Sequence, residues 1–323
     1  PSPALEVFHH KASDRTFVGL KNGAGEVLKS DSGSYEVVPI SGLATGQPVQ
    51  RIIANQTEIY FIGENRFHTL LPSTQGKAEV FQFQNKLING AFMHKQNLFL
   101  LFYQEGLFTW SNNELVAVGR HSQMTEDLML FGFQTNKGTY IGFENDQVFL
   151  FDGKSFNSVR AQLASFLSDN ILADGLLLND SLMAFSTLAG GAVIADVESQ
   201  QIRHKFDYTT GAKDNEIFCL GKDGDEGLWM AFEAGLSRVD LLQPVKNYSG
   251  FPGLEGNLTT SIYANKSLYV GSGNGVFVLK EATDQAEIQR LMAEMVRRNQ
   301  QAKRDEESDR IPQREKPASS NRD

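Results

Sequence analysis

TYIG, residues Thr139–Gly142, is one of seven short apolar β-type tetrads in this 323-residue chain. The others read TFVG (Thr16–Gly19), YFIG (Tyr60–Gly63), FLLF (Phe99–Phe102), MAFS (Met183–Ser186), LWMA (Leu228–Ala231) and LYVG (Leu268–Gly271). A small or turn-forming stretch follows each one, and then a second apolar run. The tetrads end 39–45 residues apart, with a mean spacing of 42. A period of about 40–50 residues with four strands per unit is the signature of a β-propeller. The predicted fold is therefore all-β: a seven-bladed β-propeller over residues 1–284, with 42 residues per blade.

Four strands can be placed within a single repeat. In the sixth they are Glu216–Leu220, Leu228–Phe232, Leu236–Asp240 and Val245–Tyr248. In the third they are Gly90–Met93, Leu98–Phe102, Leu107–Trp110 and Glu114–Val118. Between strands stand turn formers such as KDGDEG (Lys222–Gly227) and EAG (Glu233–Gly235), whose Gly and Asp supply the geometry of tight hairpins. The seventh repeat offers only Leu258–Tyr263, Leu268–Gly271 and Val276–Leu279. Ala4–His10 is expected as the first strand of the first blade. The seventh blade then has three strands, or takes its outer strand from upstream of Pro1. Helical periodicity is nearly absent before residue 284.

Composition narrows the function classes. The chain is 41% hydrophobic with 23 phenylalanines, enough for a large core and for flat interfaces between twisted sheets. A formal charge of −9 argues against nucleic acid and against anionic membrane surfaces. No apolar run approaches the roughly 20 residues of a membrane span. The chain opens on Pro-Ser-Pro and reads as a mature or trimmed segment. Cys219 is the single cysteine, so no intrachain disulfide forms, and its apolar strand predicts a core position. Beyond residue 284 the character changes, with 17 charged residues among the last 39. Ile288, Leu291, Met292, Met295 and Val296 fall at helical spacing, predicting a short amphipathic C-terminal α-helix, followed by a charged linker containing Pro312 and Pro317. Such a helix packs on the propeller or begins a dimeric signalling helix.

GLWMAFEAGLSRVD (Gly227–Asp240) resembles the repeat of two-component-regulator propellers, a Leu-Trp-Ile-Gly-Thr-like strand followed by Gly-Leu-x-Arg-Tyr-Asp. Leu228, Trp229, Gly235, Leu236, Arg238 and Asp240 carry the match, and Ala231-Phe232 stands where that pattern has Gly-Thr. LTTSIYANKSLYVGSGNGVFVLK (Leu258–Lys280) is similar to the same repeat. The other five repeats keep only the spacing and the apolar–Gly punctuation. The resemblance implies an extracytoplasmic, periplasmic sensor module of a bacterial signalling protein, recognising an extracellular glycan or peptide. A cytoplasmic location is the alternative. No Gly-His and Trp-Asp dipeptides recur as in WD40 repeats, and no double glycine recurs as in kelch repeats.

The turns between second and third strands of a propeller lie on one face, around the mouth of the central channel. Asn22, Glu64, Arg66, Tyr103, Glu105, Glu144, Asn145, Asp146, Glu233 and Asn274 stand on these turns and are the candidate ligand-binding residues. Tyr103 and Phe143 have the faces to stack on a sugar ring. The plainer reading is that Asn, Asp and Gly are there because tight turns need them. The six histidines show no metal-ligand spacing, and neither a nucleophile elbow nor a nucleotide loop occurs. No metal, no cofactor and no enzymatic activity are expected. The leading expectation is a sensor that recognises its ligand at the channel mouth. Its rival is a protein–protein interaction scaffold, which a broad apolar patch on one rim would favour. A propeller lyase or hydrolase needs His68, His94 or His121 beside an acid at the mouth.

Overall fold

The computed structural model describes residues 4–43, 46–72, 78–119, 126–224, 227–241, 254, 256–265 and 267–279. Seven antiparallel meanders follow one another along the chain, giving the seven-bladed β-propeller that the period predicts. The first sheet is β1 (Ala4–His10), β2 (Arg15–Leu20), β3 (Gly23–Lys29) and β4 (Tyr35–Pro39). The second is β5 (Arg51–Ala54), β6 (Ile59–Ile62), β7 (Arg66–Leu70) and β8 (Glu79–Gln82). The third is β9 (Ile88–His94), β10 (Asn97–Phe102), β11 (Gly106–Ser111) and β12 (Glu114–Gly119). The fourth is β13 (Met129–Gln134), β14 (Thr139–Phe143), β15 (Val148–Phe151) and β16 (Phe156–Ser158). After helix α1 (Ala161–Asn170) comes the fifth: β17 (Leu172–Leu177), β18 (Leu182–Thr187), β19 (Ala192–Asp196) and β20 (Ile202–Phe206). The sixth shows β21 (Cys219–Lys222), β22 (Gly227–Phe232) and β23 (Gly235–Asp240), and the seventh β24 (Leu258–Ala264), β25 (Ser267–Ser272) and β26 (Gly275–Leu279).

The chain divides into two units. The first holds sheets one to six, and the second holds sheet seven. Ala4–His10 pairs with β2 and opens the first sheet, as expected. Sheet seven has three strands among the described residues. The expected strand at Val245–Tyr248, the C-terminal helix through Ile288–Val296 and the linker after it lie outside the described residues.

The tetrads are second strands, and their composition follows from position. β6 and β14 are buried at every residue because a sheet covers each face. The outermost strand β4, by contrast, is exposed throughout. Aromatic rings fill the spaces between sheets. Phe17 meets Phe61 edge-on at 5.6 Å, Phe67 meets Trp110 at 5.0 Å, and Phe92 meets Phe151 at 5.5 Å. Each fully buried Phe contributes about 1.5–3 kcal/mol by area. Phe131 shows how tight this packing is. A methyl added at Gly142 would lie 2.3 Å from its ring, and one at Gly175 would lie 2.7 Å from it.

Two features depart from the sequence reading. Helix α1 was not expected. Leu163 and Leu167, one turn apart, are its buried residues, in one core cluster with Tyr140 and Val197, and Ala164 and Phe166 pack on that cluster half-buried, so its periodic signal is short. The sixth sheet's first strand starts at Cys219, three residues later than expected. Cys219 is exposed, correcting its expected core position, because the neighbouring Ile217 takes the buried site. The motif residues of the sixth repeat have a local duty. Asp223 accepts hydrogen bonds from Trp229 Nε1 at 2.9 Å and Arg238 Nε at 2.6 Å, and Trp229 and Arg238 are register partners.

Candidate functional site

In the first unit the initial strands of successive sheets are neighbours: β1 with β5, then β9, β13, β17 and β21. Each is the edge of its own meander, so the ladder leaves part of its backbone unpaired. Side chains supply the missing partners. The Glu6 carboxylate accepts from the Ile52 N–H at 2.7 Å, one sheet along. Asp174 repeats this bond to the Leu220 N–H at 2.9 Å, again one sheet along. The Arg51 guanidinium donates to the carbonyls of Leu130 at 2.5 Å and Met129 at 3.4 Å, two sheets away. That reach shows that the row of first strands curls around a common interior. Burial pushes the Glu6 carboxyl up to about 7, against the opposing pull of Arg51 and the Ile52 N–H. Burial raises Asp174 in the same way, opposed by its backbone hydrogen bonds and Arg51.

β-Bulges place these side chains. The register slips at Leu5, Asn89, Leu130 and Ala173, one or two residues into β1, β9, β13 and β17. The residue after the slip lies directly across from the end of a tetrad in three of these sheets: Glu6 opposite Gly19, Phe131 opposite Gly142, and Asp174 opposite Ser186. A bulge re-aims the side chains beside it. At this end of the first strands lies a cavity of ≈ 300 Å³. Leu5, Ile62, Ile88, Leu128 and Met129 give its apolar wall, and Gln50, Arg51 and Asn89 give its polar one. Its volume falls at the small end of ligand-sized cavities.

At the same end of successive first strands runs a repeated apolar rim, of which Leu128 also lines the cavity. Leu87, Leu128 and Ile171 each stand immediately before a first strand. They are 44%, 44% and 51% exposed. Their carbonyls accept hydrogen bonds from Tyr103 at 2.8 Å, Glu144 at 3.1 Å and Leu188 at 2.9 Å, each the first residue after a second strand. Three successive sheets therefore present a large aliphatic side chain in the same way. Ile171 holds φ 62°, a region that β-branched residues rarely occupy.

The turn residues of the first unit picked out from sequence sit on the same end as this cavity, outward of the first strands. The Tyr103 and Glu144 N–H groups fix the rim, and Tyr103 is 41% exposed. Glu105 pairs with Lys86, and Arg66 Nε donates to Asn65 at 3.3 Å. Asn145 donates to Asp127 at 2.7 Å, while Asp146 accepts from the Leu172 N–H at 2.7 Å. The Glu64 carbonyl accepts from Ile88 at 2.7 Å. Asn22 and Glu233 are exposed on their turns, and Asn274 belongs to the second unit. Phe143 is buried in the core, which removes it as a sugar platform. His68 and His94 are buried, and burial pushes both below the ordinary histidine range. His94 stands at the far end of β9 from the cavity, and His121 lies outside the described residues.

Sequence reasoning passed over Glu6, Arg51, Asp174 and the rim. A usable signal existed: an apolar residue 14 or 15 positions before the tetrad end is Leu87, Leu128 and Ile171 in repeats three to five. No protein-family model matches the sequence, and no curated protein matches it. Among solved structures, the WD40 domain of Neurospora crassa Pan2 is 11% identical with a TM-score of 0.53, over 86% of this chain and 88% of that one. Saccharomyces cerevisiae Sqt1 is 12% identical with a TM-score of 0.52, over 88% and 84%. The extracellular domain of a B. thetaiotaomicron protein described as a hybrid two component system is 11% identical with a TM-score of 0.40, over 87% of this chain and 45% of that one. The likeness to Pan2 and Sqt1 is one of fold.

Proposed function

We propose that this chain is a binding module that holds a protein or peptide partner on the first-strand end of its first unit and catalyses no reaction. The apolar rim carries this reading. Leu87, Leu128 and Ile171 are exposed at equivalent places in three successive sheets, and Leu128 also lines the mainly apolar cavity. Each is about half exposed, so a partner that fully covers one recovers about half of the ~1.5–3 kcal/mol of a fully exposed side chain, roughly 0.7–1.5 kcal/mol. Glycan recognition favours aromatic faces, whereas this rim is mainly aliphatic and Phe143 is buried. Among the described residues Arg51 is the one ionisable side chain lining the cavity, and the interior carboxyls coupled to it, Glu6 and Asp174, already accept backbone N–H groups. The resemblance of Gly227–Asp240 to two-component-regulator repeats supports a sensing version, in which the bound partner is an extracellular cue and the signal leaves through the C-terminal segment. A scaffold version needs no such relay.

Differential capture tests the proposal. Immobilised wild-type chain, Leu128→Asp, Ile171→Asp and a far-end control, Lys154→Asp, are exposed to the same extract. Proteins or peptides held by wild type and control but lost from both rim variants support the reading. The same set retained on all four would sink it.

A further inference from the structure

Resting on that reading of the face, we propose that its occupant is a Lys- or Arg-bearing peptide segment whose apolar side chains lie on Leu128 and Ile171. The charge of the rim is divided by sector. Segments 126–129, 143–147, 168–172 and 187–191 form the rim of the fourth and fifth sheets. Among the described residues these segments contain Glu126, Asp127, Glu144, Asp146 and Asp169 and no Lys, Arg or His. Lys205, on the last strand of the fifth sheet, lies 5.5 Å from the Phe166 ring of α1 and pairs with Asp207 at 2.9 Å. The corresponding end of the first three sheets carries Lys21, Arg66 and Lys86 against Glu64 and Glu105, while Arg51 reaches from the second sheet to the Met129 and Leu130 carbonyls of the fourth.

These carboxylates surround the apolar contacts closely. Glu126 and Asp127 immediately precede Leu128, and the Glu144 N–H bonds the Leu128 carbonyl at 3.1 Å. Asp146 holds the N–H of Leu172, next to Ile171, at 2.7 Å. Helix α1 ends at Asn170 with no basic residue in its last turn, so its partial negative charge adds to the sector. Arg160 stands at the other end of α1, about 15 Å away along a ten-residue helix. Like charges held together repel, and cations on a partner relieve that repulsion as apolar contact is made. The charges steer and select, and the aliphatic side chains supply the contact area.

Fluorescence anisotropy with two pools of short fluorescein-labelled peptides tests this. One pool is built from Leu, Phe, Gly, Lys and Arg, and the other from Leu, Phe, Gly, Asp and Glu. The basic pool is expected to bind about tenfold more tightly than the acidic pool and to weaken as NaCl rises from about 50 to about 500 mM. Asp127→Lys with Glu144→Lys should reverse the preference, and Leu128→Ser should weaken binding without changing charge. Equal binding of the pools, preference for the acidic pool, no binding of either, or basic-pool binding indifferent to Leu128→Ser overturns the inference. Acidic-pool binding that Leu128→Ser abolishes would sink the charge assignment alone and leave the face standing.

Discussion

Replacing Glu6 with Gln tests the interior of the first-strand row, because Gln keeps the acceptor for the Ile52 N–H and removes the proton. The Glu6 carboxyl moves from 4.5 to about 7 on folding. Between those values the folded chain holds more protons than the unfolded chain, so stability falls as pH rises. The favourable contribution is complete below about pH 4.5 and gone above about pH 7. Between pH 5 and pH 8 a shift of that size amounts to roughly 2 kcal/mol once water in the interior is allowed for. Urea denaturation of wild type and Glu6→Gln at pH 5, 6, 7 and 8 reads it directly. The variant should gain on wild type by about 2 kcal/mol across that range, because the titrations of Asp174 and other groups cancel in the difference. Parallel pH profiles would refute the reasoning, since Glu6 would then titrate as an ordinary solvated acid.

Gly142→Ala should cost about 1–3 kcal/mol, read as a lowered urea midpoint, because its methyl would meet the Phe131 ring at 2.3 Å. Ile171→Gly should raise stability by about 1 kcal/mol while weakening partner binding, because it relieves a positive φ at an exposed side chain. Melting curves and the capture assay together check that opposed pair of effects. Leu128→Asp should leave the melting temperature within a few degrees of wild type, because the side chain is half-exposed, yet abolish capture.

The fold was legible because second strands lie between two sheets and must be apolar along their whole length, as Ile59–Ile62 and Thr139–Phe143 are. That constraint repeats once per blade and survives divergence of everything else. Helix α1 left little trace because it is ten residues long and buries only Leu163 and Leu167, with Ala164 and Phe166 half-buried beside them. The binding face was readable only as a direction. Tight turns need Asn, Asp and Gly for backbone reasons, so Asn145 and Asp146 look functional while holding backbone N–H groups, that of Gln147 within the turn and that of Leu172 on the next sheet. The inner side chains were hidden by the bulges. Glu6 stands 13 residues before its tetrad end, Asp174 stands 12, and Phe131 stands 11, so a fixed offset misses them. Arg51 bonds residues 78 and 79 positions away, a pairing that no local pattern encodes.

Site-specific photo-crosslinking tests the binding face most directly. A benzophenone side chain placed at position 128, at position 171 or at the far-end position 154 is irradiated with the captured partner present. Adducts at 128 and 171 with none at 154 are the expected result. Adducts at 154 with none at 128 or 171, or equal yields at all three, would contradict recognition on the first-strand rim.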